Sequence, residues 1–284
     1  MAQSLLDALQ TLFPDSSKTT LRRMLQDDRV RVNGVPHRDA KRIVEDGERV
    51  EVGSKASRTI DPRITILYED DDLIAVDKAP GLLTVASPEV RHEHAEAFLN
   101  TYLGARHGET RVHVVHRLDR DTSGVLVFAK NGDMRDRLQA LFAAHDIERI
   151  YVAIVHGKLP QPSGTFHSFL AEDKELRVKS VAGVVQQAKE AITHYRTTAS
   201  GRRYSMLEVT LETGRRNQIR VHLAEAGHPI VGDNMYGREH PASREDPLGR
   251  LALHARHLAF VHPRTRKRLE VSMAIPESFR TLQL

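Results

Sequence analysis

The sequence predicts a two-part α+β protein. Three observations carry this reading. The first fifty residues pair two short amphipathic helical patterns with brief alternating strands. The rest of the chain consists mainly of short apolar or alternating runs of strand character, and only two clear helical patterns interrupt it. With 284 residues, 40% of them hydrophobic and 28% charged, the chain can bury a sizeable core, and wholesale disorder is excluded.

The elements follow in order. Ser4 to Phe13 places Leu5, Leu6, Leu9, Leu12 and Phe13 at helical spacing, and Pro14 ends the pattern. A second helix begins after an N-cap at Ser17 or Thr19. Leu21, Met24 and Leu25 form its apolar face, and Arg22 and Arg23 point elsewhere. Val30 and Val32 then alternate with Arg29 and Arg31, and Asn33-Gly34 is a strong hairpin signal. Glu48 to Val52 reads as another strand. Gly53 to Thr59 is small, polar and aperiodic, which divides the chain into a unit at 1–53, a linker at 54–59 and a larger unit at 60–284.

In the larger unit Ile64 to Tyr68 alternates, and Asp70-Asp71-Asp72 turns the chain. Leu73 to Val76, Val125 to Ala129 and Tyr151 to Val155 are continuous apolar runs, the mark of buried strands. Ile192 to Thr198 and Ser205 to Glu212 read as neighbours joined at Gly201. Helices are predicted over Asp133 to Ala144 and over Asn217 to Ala226, the second stopped by Gly227 and Pro229. The stretch 237–249 reads as a long surface loop.

Composition narrows the chemistry. Cys is absent, which excludes disulfides, thiolate zinc sites and a cysteine nucleophile. No apolar run approaches the roughly 18 residues of a membrane-spanning helix, and no secretory signal opens the chain, so the cytoplasm is the expected compartment. Aromatic residues are 5% of the chain and Trp is absent, which argues against broad base stacking along single strands. The net charge of +4 is mild, but the positive charge is clustered. Lys18, Arg22, Arg23, Arg29, Arg31, Arg38, Lys41 and Arg42 face only Asp27, Asp28 and Asp39 in that segment. Lys18, Arg22, Arg23, Arg29 and Arg31 are candidate phosphate-binding residues; a helical cap with solvated charges is the alternative.

Two polar clusters carry chemistry. The first is His116-Arg117-Leu118-Asp119-Arg120-Asp121-Thr122-Ser123-Gly124, set between two apolar runs and hence on a loop at a sheet edge. Arg117 and Arg120 flank Asp119 and are expected to keep it ionised, able to act as nucleophile or base. The alternative is a turn whose Asp, Thr and Ser bond local backbone. The second cluster runs from Glu212 to His222, where a strand ends, Gly214 turns the chain and a helix starts among Arg215, Arg216, Gln218 and Arg220. Such a start suits an anion, although an ordinary basic helix start has the same pattern. Arg220 and His222 are two apart, so only one of them looks into a common site. The His pairs 113/116 and 254/257 complete no metal pattern, and no metal or other cofactor is expected.

The residues Leu21 to Gly34 resemble the basic "V-x-V-N-G" run of the S4 RNA-binding domain. His116 to Gly124 resembles the catalytic-aspartate motif of the RluA-type pseudouridine synthases, and other segments match that family in order. Val76 to Leu82 is similar to its first "K-x-x-G" loop, and Lys130 closes a strand as in "L-x-x-F-A-K". Tyr151 to Gly157 is similar to "Y-x-A-x-V-x-G", and Gly214 to His222 to "G-R-x-H-Q-I-R-x-H". Gly227 to Asp233 and Leu253 to Pro263 match two further motifs. Asn217 departs from the usual His, and Ala79 from a common Pro.

The resemblance, which is to the RluC- and RluD-like branch with an S4 domain, implies a mostly antiparallel mixed-sheet catalytic domain behind a small S4-like domain. It implies a monomeric RNA pseudouridine synthase acting without cofactor on ribosomal RNA of the large subunit, with transfer RNA as second choice. Asp119 would be the nucleophile, toward sugar or base. Arg220 would pair with it, and Tyr151 would pack on the uracil and assist removal of the C5 proton. His116, Arg117, Arg120, Thr122, Gly124, Arg215, Gln218 and Ile219 would line the substrate site. Arg117 would fill the space left by a flipped base or hold a phosphate, and Gly124 would let backbone approach the RNA. Two other readings are a catalytically silent RNA-binding assembly factor and a glycosidase or nucleosidase. The second would need another carboxylate beside Asp119.

Overall fold

The computed structural model describes residues 3–282 apart from 15, 27–28, 53–59, 108–110, 176, 182–186 and 242–245. The predicted linker therefore lies outside the described residues. The chain divides into two compact units, one of residues 1–62 with 97–112 and the other of 63–96 with 113–284. The smaller unit thus takes in a segment that the boundary read from the sequence assigns to the larger one.

The smaller unit holds β1 (Gln3–Ser4), α1 (Leu5–Leu12), α2 (Lys18–Gln26), β2 (Val30–Val32), β3 (Val35–Pro36), β4 (Ile43–Val44) and β5 (Val50–Val52). Ser4 caps α1 by accepting the Asp7 N–H at 3.2 Å, and Ser17 caps α2 by accepting the Thr20 N–H at 3.2 Å. The apolar faces of the two helices meet Val30 and Val32 in one core, with Leu5, Leu9, Leu21 and Leu25 buried. The strands β3, β2 and β5 form a ribbon, turned at Asn33 and Gly34 with φ of 51° and 82°. Two successive left-handed residues match the twist of a hairpin, and Asn-Gly adopts them with little strain. Most of α3 (Ala95–His107) also belongs to this unit, buried through Leu99 and Leu103.

The larger unit is built on an eleven-stranded sheet. Its strands are β6 (Ile64–Glu69), β7 (Leu73–Lys78), β8 (His113–Val114), β9 (Ser123–Ala129), β10 (Glu148–His156), β11 (Ser163–Glu172), β12 (Val178–Val181), β13 (Lys189–Ser200), β14 (Tyr204–Leu211), β15 (Leu253–Val261) and β16 (Arg268–Ser272). The order is β12-β11-β13-β14-β10-β15-β9-β7-β6, with β16 paired to β15 and β8 to β9. Every pairing is antiparallel except β9 with β15. The α+β class and the mostly antiparallel mixed sheet are those expected.

Each residue of β9 is buried, as a strand covered on both faces requires. Helix α4 (Gly132–Ala143), capped by Asn131, packs Met134 and Leu138 over Leu73, Val125, Val127 and Phe260. Helix α5 (Gln218–Glu225) lays Val221 on Leu170, Val178 and Ala191. A short α6 (Glu277–Thr281) buries Phe279. The one parallel contact depends on a glycine. Gly124 has φ of 113°, and a Cβ there would stand 2.1 Å from the Ala255 carbonyl oxygen of β15. Only a residue without a side chain lets the two strands close.

Candidate active site

A cleft of about 710 Å³ opens between the β8–β9 loop, the start of α5, the end of α4 and one end of β10. Asp119 stands on the loop. The loop is pinned from beneath by two buried side chains. Lys78 Nζ donates to the carbonyls of Ala79, Leu82 and Arg120 at 3.1, 2.7 and 2.9 Å. Thr84 Oγ1 donates to the Leu118 carbonyl at 2.8 Å and accepts the Leu118 N–H at 3.2 Å. The Thr122 N–H closes the turn on the Asp119 carbonyl at 3.2 Å. Asp119 is therefore held from both sides in sequence, with its carboxylate left to face the cleft.

The side facing Asp119 comes from α5. Asn217, at φ of 55°, sets its first turn, a left-handed conformation that Asn tolerates. Arg220 donates through Nε and Nη2 to the two carboxylate oxygens of Asp233, each at 2.8 Å, and through Nη1 to Asn217 Oδ1 at 2.9 Å. Its guanidinium lies 5.1 Å from the centre of the Tyr236 ring. Nη1 is 3.8 Å from Asp119 Oδ2. Arg220 thus looks into the cleft, while His222, two residues on, turns to Thr193 and Ser168.

Burial pushes the Asp119 carboxyl above the usual carboxylate range, opposed by the nearby charges of Arg220, Arg216 and Lys78. The expected reason for its ionisation is thereby corrected. Neither flanking arginine is among the charges that favour the ionised form. Arg120 turns outward to Asp121 at 3.1 Å and does not line the cleft. The same desolvation pushes the buried Lys78 ammonium down to about 7. Tyr151, buried in the cleft wall, has its phenol pushed up by burial and by Asp119, against the pull of Arg149.

The other expected substrate residues fall into two groups. Arg117, Thr122, Arg215 and Ile219 line the cleft, with Arg117 and Arg215 exposed at its rim. His116 and Gln218 line the cleft too, but their polar atoms are taken up by the fold, and Gly124 is not among the lining residues. His116 Nε2 accepts the Val127 N–H at 3.0 Å, its ring stacks on Phe142, and burial pushes it down to about 3. The Gln218 amide has all four of its hydrogen-bonding positions filled, by Thr213, the Arg215 N–H, the Ile192 carbonyl and Thr193. Gly124 lies against the Ala255 backbone of β15. Sequence reasoning missed Arg149, which lines the cleft, and a charge inside the run Ile147 to Ile154 was its only signal.

In the smaller unit Lys18, Arg22 and Arg31 are exposed, and Arg29 is half-buried. Among the described residues no helix is long and apolar enough to cross a membrane. Asp70, Asp72 and His262 lie close enough together to suggest a metal site. Their atoms are already committed: Arg264 and Asn131 bond Asp72, Tyr68 and two backbone amides bond Asp70, and His262 Nδ1 accepts two amides. His262 Nε2 stands 3.2 Å from Asp70 Oδ2.

Comparison with known proteins shows the family. The family described as RNA pseudouridylate synthase matches residues 72–225. The chain is 35% identical to ribosomal large subunit pseudouridine synthase D of Pseudomonas aeruginosa, over 94% of this chain and 87% of that protein. It is 33% identical to the uncharacterized RNA pseudouridine synthase YlyB of Bacillus subtilis, over 94% of this chain and 89% of that protein. Among solved structures, human RNA pseudouridylate synthase domain containing 4 superposes with a TM-score of 0.62 at 25% identity, covering 76% of this chain and 90% of that one. These likenesses place the chain among enzymes that isomerise uridine within RNA. The chain belongs to the RNA pseudouridylate synthase family, in its RluA-type branch.

Proposed function

We propose that this enzyme converts particular uridines of structured RNA to pseudouridine, in large-subunit ribosomal RNA foremost, with Asp119 as the reacting carboxylate. One observation carries the reading. Asp119 is the only acidic side chain among the described residues that line the cleft, and it is faced by Arg220 at 3.8 Å. A glycosidase or nucleosidase would need a second carboxylate there. A silent binding protein would gain nothing from desolvating an aspartate in a concave site. The name of the Pseudomonas relative supports ribosomal RNA as the substrate.

The reaction balances without a co-reactant. The N1–C1′ bond breaks with its electron pair going to the base. Asp119 attacks the sugar or the base, the ring turns, C5 bonds to C1′, and the bond to Asp119 breaks with its electron pair returning to the carboxylate. The C5 proton leaves, and N1 gains a proton. A uridine must leave its stack to reach Asp119, so the base is flipped. Tyr151 packs against it, and its hydroxyl passes on the C5 proton. Arg117 fills the vacated space or holds a phosphate. The exposed charges of the small unit, which we read as an S4-like RNA-binding domain, add affinity that does not depend on sequence.

Asp119→Asn tests the assignment. The variant is expected to bind RNA and melt as a folded protein while forming no pseudouridine. Turnover near that of the parent would remove Asp119 from the reaction. Mapping pseudouridines in RNA from cells with and without the gene identifies the substrate.

A further inference from the structure

Arg149 lies in the cleft wall two residues before Tyr151 on β10, and both side chains line the cleft. It is only 8% exposed. A cation buried so deeply ordinarily sits against a carboxylate. Arg149 makes no ion pair among the described residues. Nη2 donates to the carbonyls of Leu211 and Glu212 at 3.2 and 3.0 Å, and buried Nε has no hydrogen-bond partner. Beside it a Cβ on Gly214 would stand 2.6 Å from Nη1, so the glycine leaves room for the guanidinium. The other side of the group lies against the Phe142 ring, 5.7 Å from its centre. The fold therefore positions a positive charge in the cleft and provides no negative charge to meet it.

We infer that Arg149 is a further catalytic residue, whose guanidinium meets a carbonyl oxygen of the target uracil and holds the negative charge that the ring takes up when N1 parts from C1′. The inference rests on the uridine-isomerising reading of the cleft. When the N1–C1′ pair moves onto the base, the charge spreads over N1 and both carbonyl oxygens. It is withdrawn again when C5 bonds to C1′ and surrenders its proton. Arg149 remains a cation throughout and exchanges no proton. A fixed donor facing charge that exists only part-way through the reaction lowers the barrier more than it tightens ground-state binding. RNA phosphates are the other anions available. They suit the exposed Arg117, Arg215 and Arg216 at the rim, whereas a flat base fits the place beside Tyr151 that Arg149 occupies.

Two variants test this with single-turnover kinetics and RNA binding. Arg149→Lys keeps the charge but loses the fork. Gly214→Ala keeps Arg149 but pushes Nη1 aside, and because only the tip of a flexible side chain must move, its fold is preserved. Each is expected to slow isomerisation by about 100-fold while RNA affinity stays within about threefold. The double variant is expected to be no slower than the worse single one, because both remove the same contact. In Arg149→Ala, added guanidinium ion is expected to restore part of the lost rate. Rates within about threefold of the parent, or affinity falling in step with rate, would overturn the inference. Should Arg149→Lys fail to fold, Gly214→Ala decides alone. A failure of this kind in an enzyme that still requires Asp119 would leave the proposed function intact.

Discussion

Arg220 and Asp233 form a buried fork-to-fork ion pair, with both hydrogen bonds at 2.8 Å, and Arg220 reaches Asp119 only at 3.8 Å. The arginine is thus fixed by one carboxylate and directed at another. Asp233 accepts two further amides, from Met235 and Tyr236, at 3.0 and 2.9 Å. Part of the charge that Arg220 offers Asp119 is already neutralised. This explains how burial can outweigh the neighbouring cations and hold the Asp119 carboxyl above its ordinary range.

Asp233→Asn leaves Arg220 buried without its counter-charge. A broken pair of this kind costs about 3–5 kcal/mol. A lower denaturant midpoint is expected, together with slower turnover despite an intact Asp119. A midpoint equal to that of the parent would show that the pair does not hold the helix start in place.

The pH dependence follows from the raised Asp119 carboxyl. In the role proposed for Asp119 its ionised form is the reactive one, so the single-turnover rate is expected to fall as pH drops through the raised value. The acid limb is expected above the pH of about 4 typical of an unperturbed aspartate. Arg216→Gln removes one of the charges that oppose the shift and is expected to move the limb further up. An acid limb that stays put in this variant would contradict the electrostatics. The stability sign is fixed as well. A carboxyl whose pKa is raised by folding lends stability at low pH and loses it as pH rises through the folded value. Asp119→Asn is therefore expected to melt higher than the parent at neutral pH.

Gly124→Ala would place a methyl group 2.1 Å from the Ala255 oxygen at φ of 113°. The clash is with backbone on the adjoining strand, so nothing small can yield. A loss of about 4 kcal/mol or more is expected, measured by urea denaturation and by soluble yield. A protein of parental stability but poor RNA binding would instead place the glycine against the ligand.

Replacing Lys18, Arg22 and Arg23 together by Ala is expected to weaken RNA binding without changing the rate of the bound complex. The slope of log K against log salt is expected to flatten by roughly two to three, since each of the three phosphate contacts contributes about 0.7–0.9. An unchanged slope would remove the basic stripe from the interface.

Elements with strong local signals were legible in the sequence. Helices α1 and α4 begin where Ser4 and Asn131 cap them, and α5 ends before Gly227. The apolar runs became β7, β9 and β10. Helix α3 escaped notice although Ala95, Leu99 and Leu103 have helical spacing, because Gly104 and the polar residues around it blur the pattern. The strand β11 exposes Thr165, His167 and Phe169 on one face and half-buries the other, which erases the contrast that alternation needs. The cleft was legible as motifs but not as pairings. Sequence neighbours suggested Arg117 and Arg120 as the cations beside Asp119, whereas folding brings in Arg220, Arg216 and Lys78 from distant segments.

The strand β15 enters the sheet between β10 and β9, yet it is made after both of them and after β14. Until it emerges from the exit tunnel, the β6–β9 and β10–β14 portions have no shared hydrogen-bond ladder to join them, and the end of the cleft lined by Leu253 is missing. A nascent chain that stops short of β15 therefore lacks both the ladder that joins the two portions and the wall that Leu253 adds to the cleft. Closing the sheet is a late, long-range event of the kind that makes folding slow.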